Sequence, residues 1–358
     1  MDFASDNTAG ASQAILEAIL AANEGLLPAY GTDPLTAKAL RLLEDIFEHP
    51  ITGFLVSTGT AANALALGAI SPPFGAIFCH SQAHVMDDEC GAPEMFTGGA
   101  KLVGIPGWAG KIAPADLKPV LADFPRGLEK QVQPATLSLS QVTECGTIYT
   151  CDQLAELTTL AHEAGLMVHM DGARFANALV SLPCSPAEMS WKAGIDVLSF
   201  GATKNGALAC EAVLFFDSAR AASLPFQRKR SGHTLSKGRY LGAQMTAYLE
   251  NGHWLGLATA ANGHARRLAQ GLGQIPSIRL PWPCEANEIF AILPHAIDTA
   301  LKEAGAHYYP WKFHASSAAS PPPAADEVFV RLVTSFATLP SDVDRFLALV
   351  RSGGHKPI

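Results

Sequence analysis

From His49 to Met86 the chain runs for 38 residues without an Asp, Glu, Lys or Arg. A stretch that long without charge has to be hidden in lipid, in a protein core or at a subunit contact. A membrane-spanning helix needs about 20 predominantly apolar residues in succession. Gly53, Ser57, Thr58, Gly59, Thr60, Asn63 and the Pro72-Pro73 pair interrupt this run, so it predicts strand, turn, helix, turn and strand, and no membrane span. The whole chain shares the bias: of 358 residues, 16% are charged and 48% hydrophobic, with a net charge of −8. Soluble proteins carry about 25% charged residues. The deficit excludes disorder and requires a very large core or surface buried against another subunit. The acidic balance gives no electrostatic footprint for nucleic acid. At roughly 100–200 residues per domain, the length suggests about two domains.

The N-terminal Met-Asp-Phe-Ala-Ser-Asp-Asn-Thr has neither the basic nor the apolar stretch of a secretory leader. Seven cysteines, an odd number, are scattered without C-x-x-C spacing. Reduced thiols in a cytoplasmic protein are expected, with neither a disulfide framework nor a zinc site.

Short β-rich apolar runs alternate with helical ones. Strands are expected at 54–56, 76–79, 101–105, 136–139, 166–170, 197–200 and 212–216. Between them lie amphipathic stretches such as 152–164, where Leu154, Leu157, Leu160 and Ala161 fall at helical spacing. This alternation predicts an α/β fold with a mostly parallel sheet covered by helices, its core within about 45–245. After Tyr248 the pattern changes to helix 258–272, strand 289–292, helix 296–304, an Ala/Ser/Pro loop at 316–325, strand 328–333 and a last helix at 341–351 opened by a Ser341 cap. The reading is an N-terminal arm and large domain over 1–249, and a smaller C-terminal α+β domain over 250–358.

Four places depart from plain core filling. Ser57-Thr58-Gly59-Thr60-Ala61-Ala62-Asn63 follows a strand and opens a helix. It is either an ordinary capped helix or an anion site, where glycine lets the backbone approach and the first turn offers unpaired N–H groups. His169-Met170-Asp171-Gly172-Ala173-Arg174 ends a strand, where open parallel sheets gather ligands; its acid and base form a structural ion pair or face a cationic heterocycle. In Asp196-Val197-Leu198-Ser199-Phe200-Gly201-Ala202-Thr203-Lys204-Asn205-Gly206 a strand runs directly into a lysine. Such a lysine is an exposed loop residue or, desolvated, an amine able to form Schiff bases. His84, in Gln82-Ala83-His84, is either a hydrogen-bonded core residue or an aromatic partner for a ring.

An anion pocket, an acid for a pyridinium nitrogen and a Schiff-base lysine, all on strand ends of one sheet, are what a pyridoxal phosphate enzyme requires. At these residues the sequence resembles the fold-type I pyridoxal phosphate enzymes, and within them the low-specificity L-threonine aldolases of the β-eliminating lyase group. The likeness starts at Ser5-Asp6-Asn7-Thr8 and includes Tyr30-Gly31-Thr32-Asp33-Pro34, 57–63, 82–91, 169–174 and Ala202-Thr203-Lys204-Asn205-Gly206. It closes with Ala286-Asn287-Glu288-Ile289-Phe290 and Val330-Arg331-Leu332-Val333-Thr334. The Asp-Gly-Ala-Arg and Arg-Leu-Val-Thr segments are its most specific parts.

The resemblance implies a fold-type I, transferase-like architecture with pyridoxal 5'-phosphate as cofactor. Lys204 would carry it as a Schiff base. Asp171 would pair with the pyridine nitrogen, Thr58, Gly59 and Thr60 would bind phosphate, and His84 would stack on the ring. Arg174, also counted with the cofactor site, and Arg331, with Ser5, would hold the substrate carboxylate in a guanidinium fork. A base within Arg228-Lys229-Arg230, or Lys237, would complete the phosphate site from a neighbouring subunit of a homodimer or homotetramer with shared active sites. The implied reaction is retro-aldol cleavage of L-threonine, L-allo-threonine or a related β-hydroxy-α-amino acid to glycine and an aldehyde, with His84 or water ordered by it as base. Another fold-type I lyase or aminotransferase, or a non-catalytic paralogue, would use the same acid and lysine.

One segment departs from the family. Many members carry Glu-Asn-Thr-His-Asn, whose histidine lines the substrate pocket. Here the stretch is Ser140-Gln141-Val142-Thr143-Glu144-Cys145-Gly146, without histidine. Thr143 is expected to supply a weaker polar contact, in a pocket roomier for a bulky aldehyde such as that of phenylserine.

Overall fold

The alternating runs build a seven-stranded sheet from β1 (Thr52–Val56), β2 (Gly75–His80), β3 (Lys101–Ile105), β4 (Gln133–Ser140), β5 (Met167–Gly172), β6 (Val197–Gly201) and β7 (Glu211–Phe215). The structure, a computed structural model, describes residues 1–315, 318 and 320–353. The strand order is β1-β7-β6-β5-β4-β2-β3. Strands β2 to β6 are mutually parallel, and β7 runs antiparallel to both β6 and β1. Every residue of β2, β6 and β7 is buried, as strands covered on both faces must be.

The uncharged run forms β1, the Gly59–Ile70 helix and β2. Residues 61–67 of that helix are buried without interruption, because it packs against the sheet on one side and other helices around it. Asparagine at 63 is its buried polar residue. Register places Ser140 of β4 opposite Asp171 of β5, and Asp171 opposite Ser199 of β6. The carboxyl ends of these strands therefore lie side by side.

A second sheet of β8 (Glu288–Pro294), β9 (Tyr309–Pro310) and β10 (Glu327–Val333) is antiparallel, in the order β8-β10-β9. Helices His253–Gly273, His295–Glu303 and Pro340–Arg351 accompany it. Leu268, Leu272, Ile289, Val330 and Phe346 share its separate core. The first residues of the chain join this unit: Phe3 is fully buried in that core, its N–H donates to His307 O at 2.8 Å, and its carbonyl accepts from Val333 N–H at 2.8 Å. The path places residues 5–7 at the edge of the large sheet's cavity, described below.

Two local expectations change. The last helix starts at Pro340 after Leu339, which makes no side-chain cap; proline presets φ and needs no donor at the first helical position, so Ser341 falls inside the first turn. The helix expected at 258–272 begins at His253, directly after Gly252 at φ +68°. Within the 316–325 loop, residues 316, 317 and 319 lie outside the described residues; the rest forms neither helix nor strand. Among the described residues no helix is long and apolar enough to cross a membrane.

Candidate active site

A cavity of about 760 Å³ opens at the carboxyl ends of β1, β4, β5 and β6, with β8 and β10 closing its far side. At one end lies the start of the Gly59–Ile70 helix. Thr58 Oγ1 accepts the Ala61 N–H at 3.1 Å and Thr58 O accepts that of Ala62 at 3.1 Å. The first two helical amides, of Gly59 and Thr60, have no carbonyl a turn earlier to bond. Both residues line the cavity, and an ideal Cβ on Gly59 would meet nothing within 4 Å. The helix dipole adds a positive field there.

Deeper in, Asp171 is buried at the end of β5. Its Oδ2 accepts from Asn63 Nδ2 at 2.8 Å and its Oδ1 from Ala173 N–H at 3.0 Å. Burial pushes this carboxyl up, but His84, Lys204 and His169 nearby and the Ala173 amide together hold it below the usual range. Asn63 Nδ2 also donates to Glu89 Oε1 at 2.8 Å, and the same oxygen pairs with His84 Nδ1 at 2.8 Å. That bond raises the His84 imidazole, against its burial and with help from Asp171.

Lys204 emerges from β6 in the single turn Thr203–Asn205. Asn205 Nδ2 locks the turn by donating to Tyr248 Oη at 2.9 Å and Trp254 O at 2.8 Å. Glu211 stands opposite both Gly201 and Val56 in the sheet and accepts from Ala202 N–H at 3.0 Å. Burial pushes its carboxyl up to about 7.

The far wall carries two arginines. Arg174 donates from Nε to Asp6 Oδ2 at 2.8 Å and from Nη2 to Asp6 Oδ1 at 3.2 Å, while Nη1 stands 3.1 Å from Glu288 Oε2. Burial would raise Asp6, but Arg174 and Lys204 dominate and lower it. The Arg331 guanidinium lies 3.9 Å from the Trp311 ring centroid and 3.6 Å from Glu288 Oε1. Its buried Nε has no partner. Ser5 also lines the cavity, and its Oγ accepts the Asn7 N–H at 3.1 Å.

Ser5, Thr58, Gly59, Thr60, His84, Asp171, Arg174, Lys204 and Arg331, scattered over more than 320 positions, thus face one space. Arg228, Lys229, Arg230 and Lys237 do not line it within this chain; Arg228 Nε donates to His233 O at 3.3 Å and Lys229 lies 4.9 Å over the Tyr30 ring. Thr143 does not supply the expected pocket contact. It is fully buried, its hydroxyl shared with Thr147 Oγ1 at 2.8 Å and Ala109 O at 3.1 Å, because the turn after β4 folds it inward. Glu144, the next residue, lines the cavity instead. Sequence reasoning also passed over Asp6, Asn63, Glu89, Glu211 and Glu288. For Asn63 and Glu211 the signal was available, since an amide or acid inside an otherwise apolar run is buried with partners or serves chemistry; Asp6, Glu89 and Glu288 stand among polar residues and gave none.

Known proteins resemble this chain in sequence and in fold. The family described as beta-eliminating lyase matches residues 2–294. A low specificity L-threonine aldolase of Pseudomonas aeruginosa is 41% identical over 311 residues, which cover 86% of this chain and 88% of that one. A threonine aldolase of Leishmania major superposes with a TM-score of 0.91 at 28% identity, covering 99% of both chains. The fold alone extends to a serine palmitoyltransferase from S. paucimobilis, solved with pyridoxal phosphate and myriocin bound, at a TM-score of 0.68 and 17% identity over 99% of this chain and 87% of that one.

Proposed function

The chain belongs to the beta-eliminating lyase family, and on that premise we propose that it is a pyridoxal-phosphate-dependent aldolase cleaving L-threonine and related β-hydroxy-α-amino acids to glycine and an aldehyde. The observation that carries this reading is one cavity uniting a helix N-terminus, a buried Asp171 held ionised and Lys204 on neighbouring strand ends. These residues fit the cofactor. Free first-turn amides suit a phosphate, an ionised carboxylate suits a protonated pyridine nitrogen, and the unpartnered Arg331 Nε remains for a carboxylate.

Pyridoxal phosphate, when bound, supplies an electron sink for the pair released at Cα. Lys204 would hold it covalently through its amine. Thr58, Gly59 and Thr60 would hold the phosphate, Asp171 would keep a proton on the pyridine nitrogen, and His84 would pack against the ring. Arg331, with Arg174 and Ser5, orients the substrate carboxylate. Tyr309 and Trp311 on the wall support acceptance of an aryl substituent at Cβ.

The finer assignments belong to the same reading. The protein is cytoplasmic and forms a homodimer or homotetramer, in which Arg228, Lys229, Arg230 or Lys237 completes a neighbour's phosphate site. Exposed Leu20, Leu26, Met95 and Phe226 support such contacts. The division into 1–249 and 250–358 rests on two separate cores, with Phe3 crossing into the second and Trp254, Ala258 and Ala286 packed in the first.

Product analysis tests the proposal. Holoprotein supplied with threonine, allo-threonine and phenylserine should release glycine and the matching aldehyde. Ammonia with a keto acid, or amino transfer to an added keto acid, would replace it by a lyase or aminotransferase. A visible cofactor band without any turnover would make the chain a non-catalytic paralogue. Lys204→Ala should abolish both band and turnover.

A further inference from the structure

We propose that Glu144 takes up the β-hydroxyl proton of the substrate on its free Oε2, an inference that rests on the aldolase reading above. Glu144 follows β4, whose last residue, Ser140, stands opposite Asp171 in the sheet. Its Oε1 is fixed twice, accepting from Ser140 Oγ at 2.7 Å and from the His84 N–H at 2.8 Å. Its Oε2 is buried and has no hydrogen-bond partner, while the side chain lines the cavity. An unpaired buried carboxylate oxygen is costly unless something engages it. A substrate hydroxyl would.

The other buried acids are less suited. Glu89 does not line the cavity, and its Oε1 is occupied by His84 and Asn63. Glu288 stands against both arginines, and Glu211 accepts from the Ala202 amide beside Lys204. His84 is drawn toward its cationic form by Glu89, and an imidazolium has no lone pair to accept with. The charged or titratable groups around Glu144 are His84 with its amide, Asp171 and Arg174 from the β5 end, Cys79 of β2, and Cys145 and Tyr149 of its own loop. Burial pushes the Glu144 carboxyl up to about 7, with Asp171 adding to the rise and Ser140 and the His84 amide opposing it. That suits a base working near neutrality.

The step balances within the substrate. The hydroxyl O–H bond breaks and its proton passes to Glu144 Oε2. The oxygen's electron pair becomes the second carbonyl bond of the aldehyde as Cα–Cβ breaks, and the Cα–Cβ pair stays at Cα. A proton taken up at Cα from solvent completes glycine, and Glu144 gives up its own to solvent.

Glycine itself separates this role from general positioning, because exchange of its α-proton in deuterated water needs the cofactor and Lys204 but no hydroxyl base. Glu144→Gln should lower threonine cleavage by about 10²–10⁴-fold, while the cofactor band and glycine exchange stay within a few-fold of the parent. Cleavage within threefold of the parent, or equal loss of cleavage and exchange, would overturn the proposal and return the proton to His84 or water. If Glu144→Gln does not load cofactor, Ser140→Ala decides. Losing that hydroxyl should move the acid limb of kcat from near 7 to higher pH, and an unmoved limb is a refutation. A parent protein that releases no glycine from any substrate would fail the aldolase reading itself.

Discussion

Asn63 presents one amide nitrogen at 2.8 Å to both Asp171 Oδ2 and Glu89 Oε1, so a single buried side chain couples the acid assigned to the pyridine nitrogen with the acid that holds His84. The two carboxylates would otherwise repel across a dry space.

Asn63→Ala removes both donations and leaves two buried acceptors under-satisfied, which costs about 1–3 kcal/mol each. Cofactor affinity should fall by about one to two orders of magnitude, read by titrating apoprotein and following the visible band. Asn63→Asp should be worse than alanine, since it adds a third negative charge. Equal retention by all three would show that Asn63 only fills space.

The two arginines should separate stability from substrate binding. Asp6 and Glu288 are almost wholly buried beneath Arg174, and breaking a buried pair leaves uncompensated charge worth about 3–5 kcal/mol. Arg174→Ala should therefore lower Tm markedly even without ligand. Arg331 keeps an unpartnered Nε and rests on Trp311. Arg331→Ala should raise KM for the amino acid at least tenfold while moving Tm much less. The reverse ranking would exchange the two roles.

The sheet and the main residues that line the cavity were legible because they rest on local signals. An uncharged strand–helix–strand run, a capped glycine turn after β1 and a lysine after β6 each announce themselves within a few residues. What stayed hidden depends on distant pairing. Asp6 is legible as a partner only once the N-terminal arm, tied to β10 through Phe3, brings it to Arg174. Glu144 and Thr143 are neighbours in sequence, and only the turn after β4 decides which faces the cavity. The Ser341 cap failed for a different reason: two start signals stood side by side, and Pro340 set the first turn.

Glu211 should leave a signature in the pH dependence of apoprotein stability. Its carboxyl rises from 4.5 to about 7 on folding, chiefly through burial. Between those values the unfolded chain has lost a proton that the native state keeps. Stability is thus fullest below 4.5 and declines as pH climbs toward 7, by about 3 kcal/mol for such a rise. Glu211→Gln keeps an acceptor for the Ala202 amide without the charge. Denaturant unfolding across pH 4–8 should show a flatter slope and a more stable apoprotein at neutrality; an unchanged slope would mean that Glu211 titrates normally.

Two glycines, Gly59 at the cavity and Gly201 at the end of β6, should respond in opposite ways to one added methyl. A Cβ on Gly201 would stand 2.5 Å from Ala173 O and 2.7 Å from Ala173 Cα, and backbone cannot swing aside as a side chain does. Gly201→Ala should force apart β6 and the turn between Asp171 and Arg174, lowering stability by about 1–3 kcal/mol and weakening cofactor retention with it. On Gly59 the same methyl meets nothing within 4 Å, and Gly59 opens a helix, where alanine is favoured over glycine by up to about 1 kcal/mol in the interior and by less at the first position. Gly59→Ala should keep or raise the apoprotein Tm yet loosen the cofactor, because the methyl occupies space beside the amides assigned to phosphate. Calorimetry of the apoproteins beside cofactor titration reads both effects, and a Gly59→Ala protein that binds cofactor as tightly as the parent would remove this turn from the phosphate site.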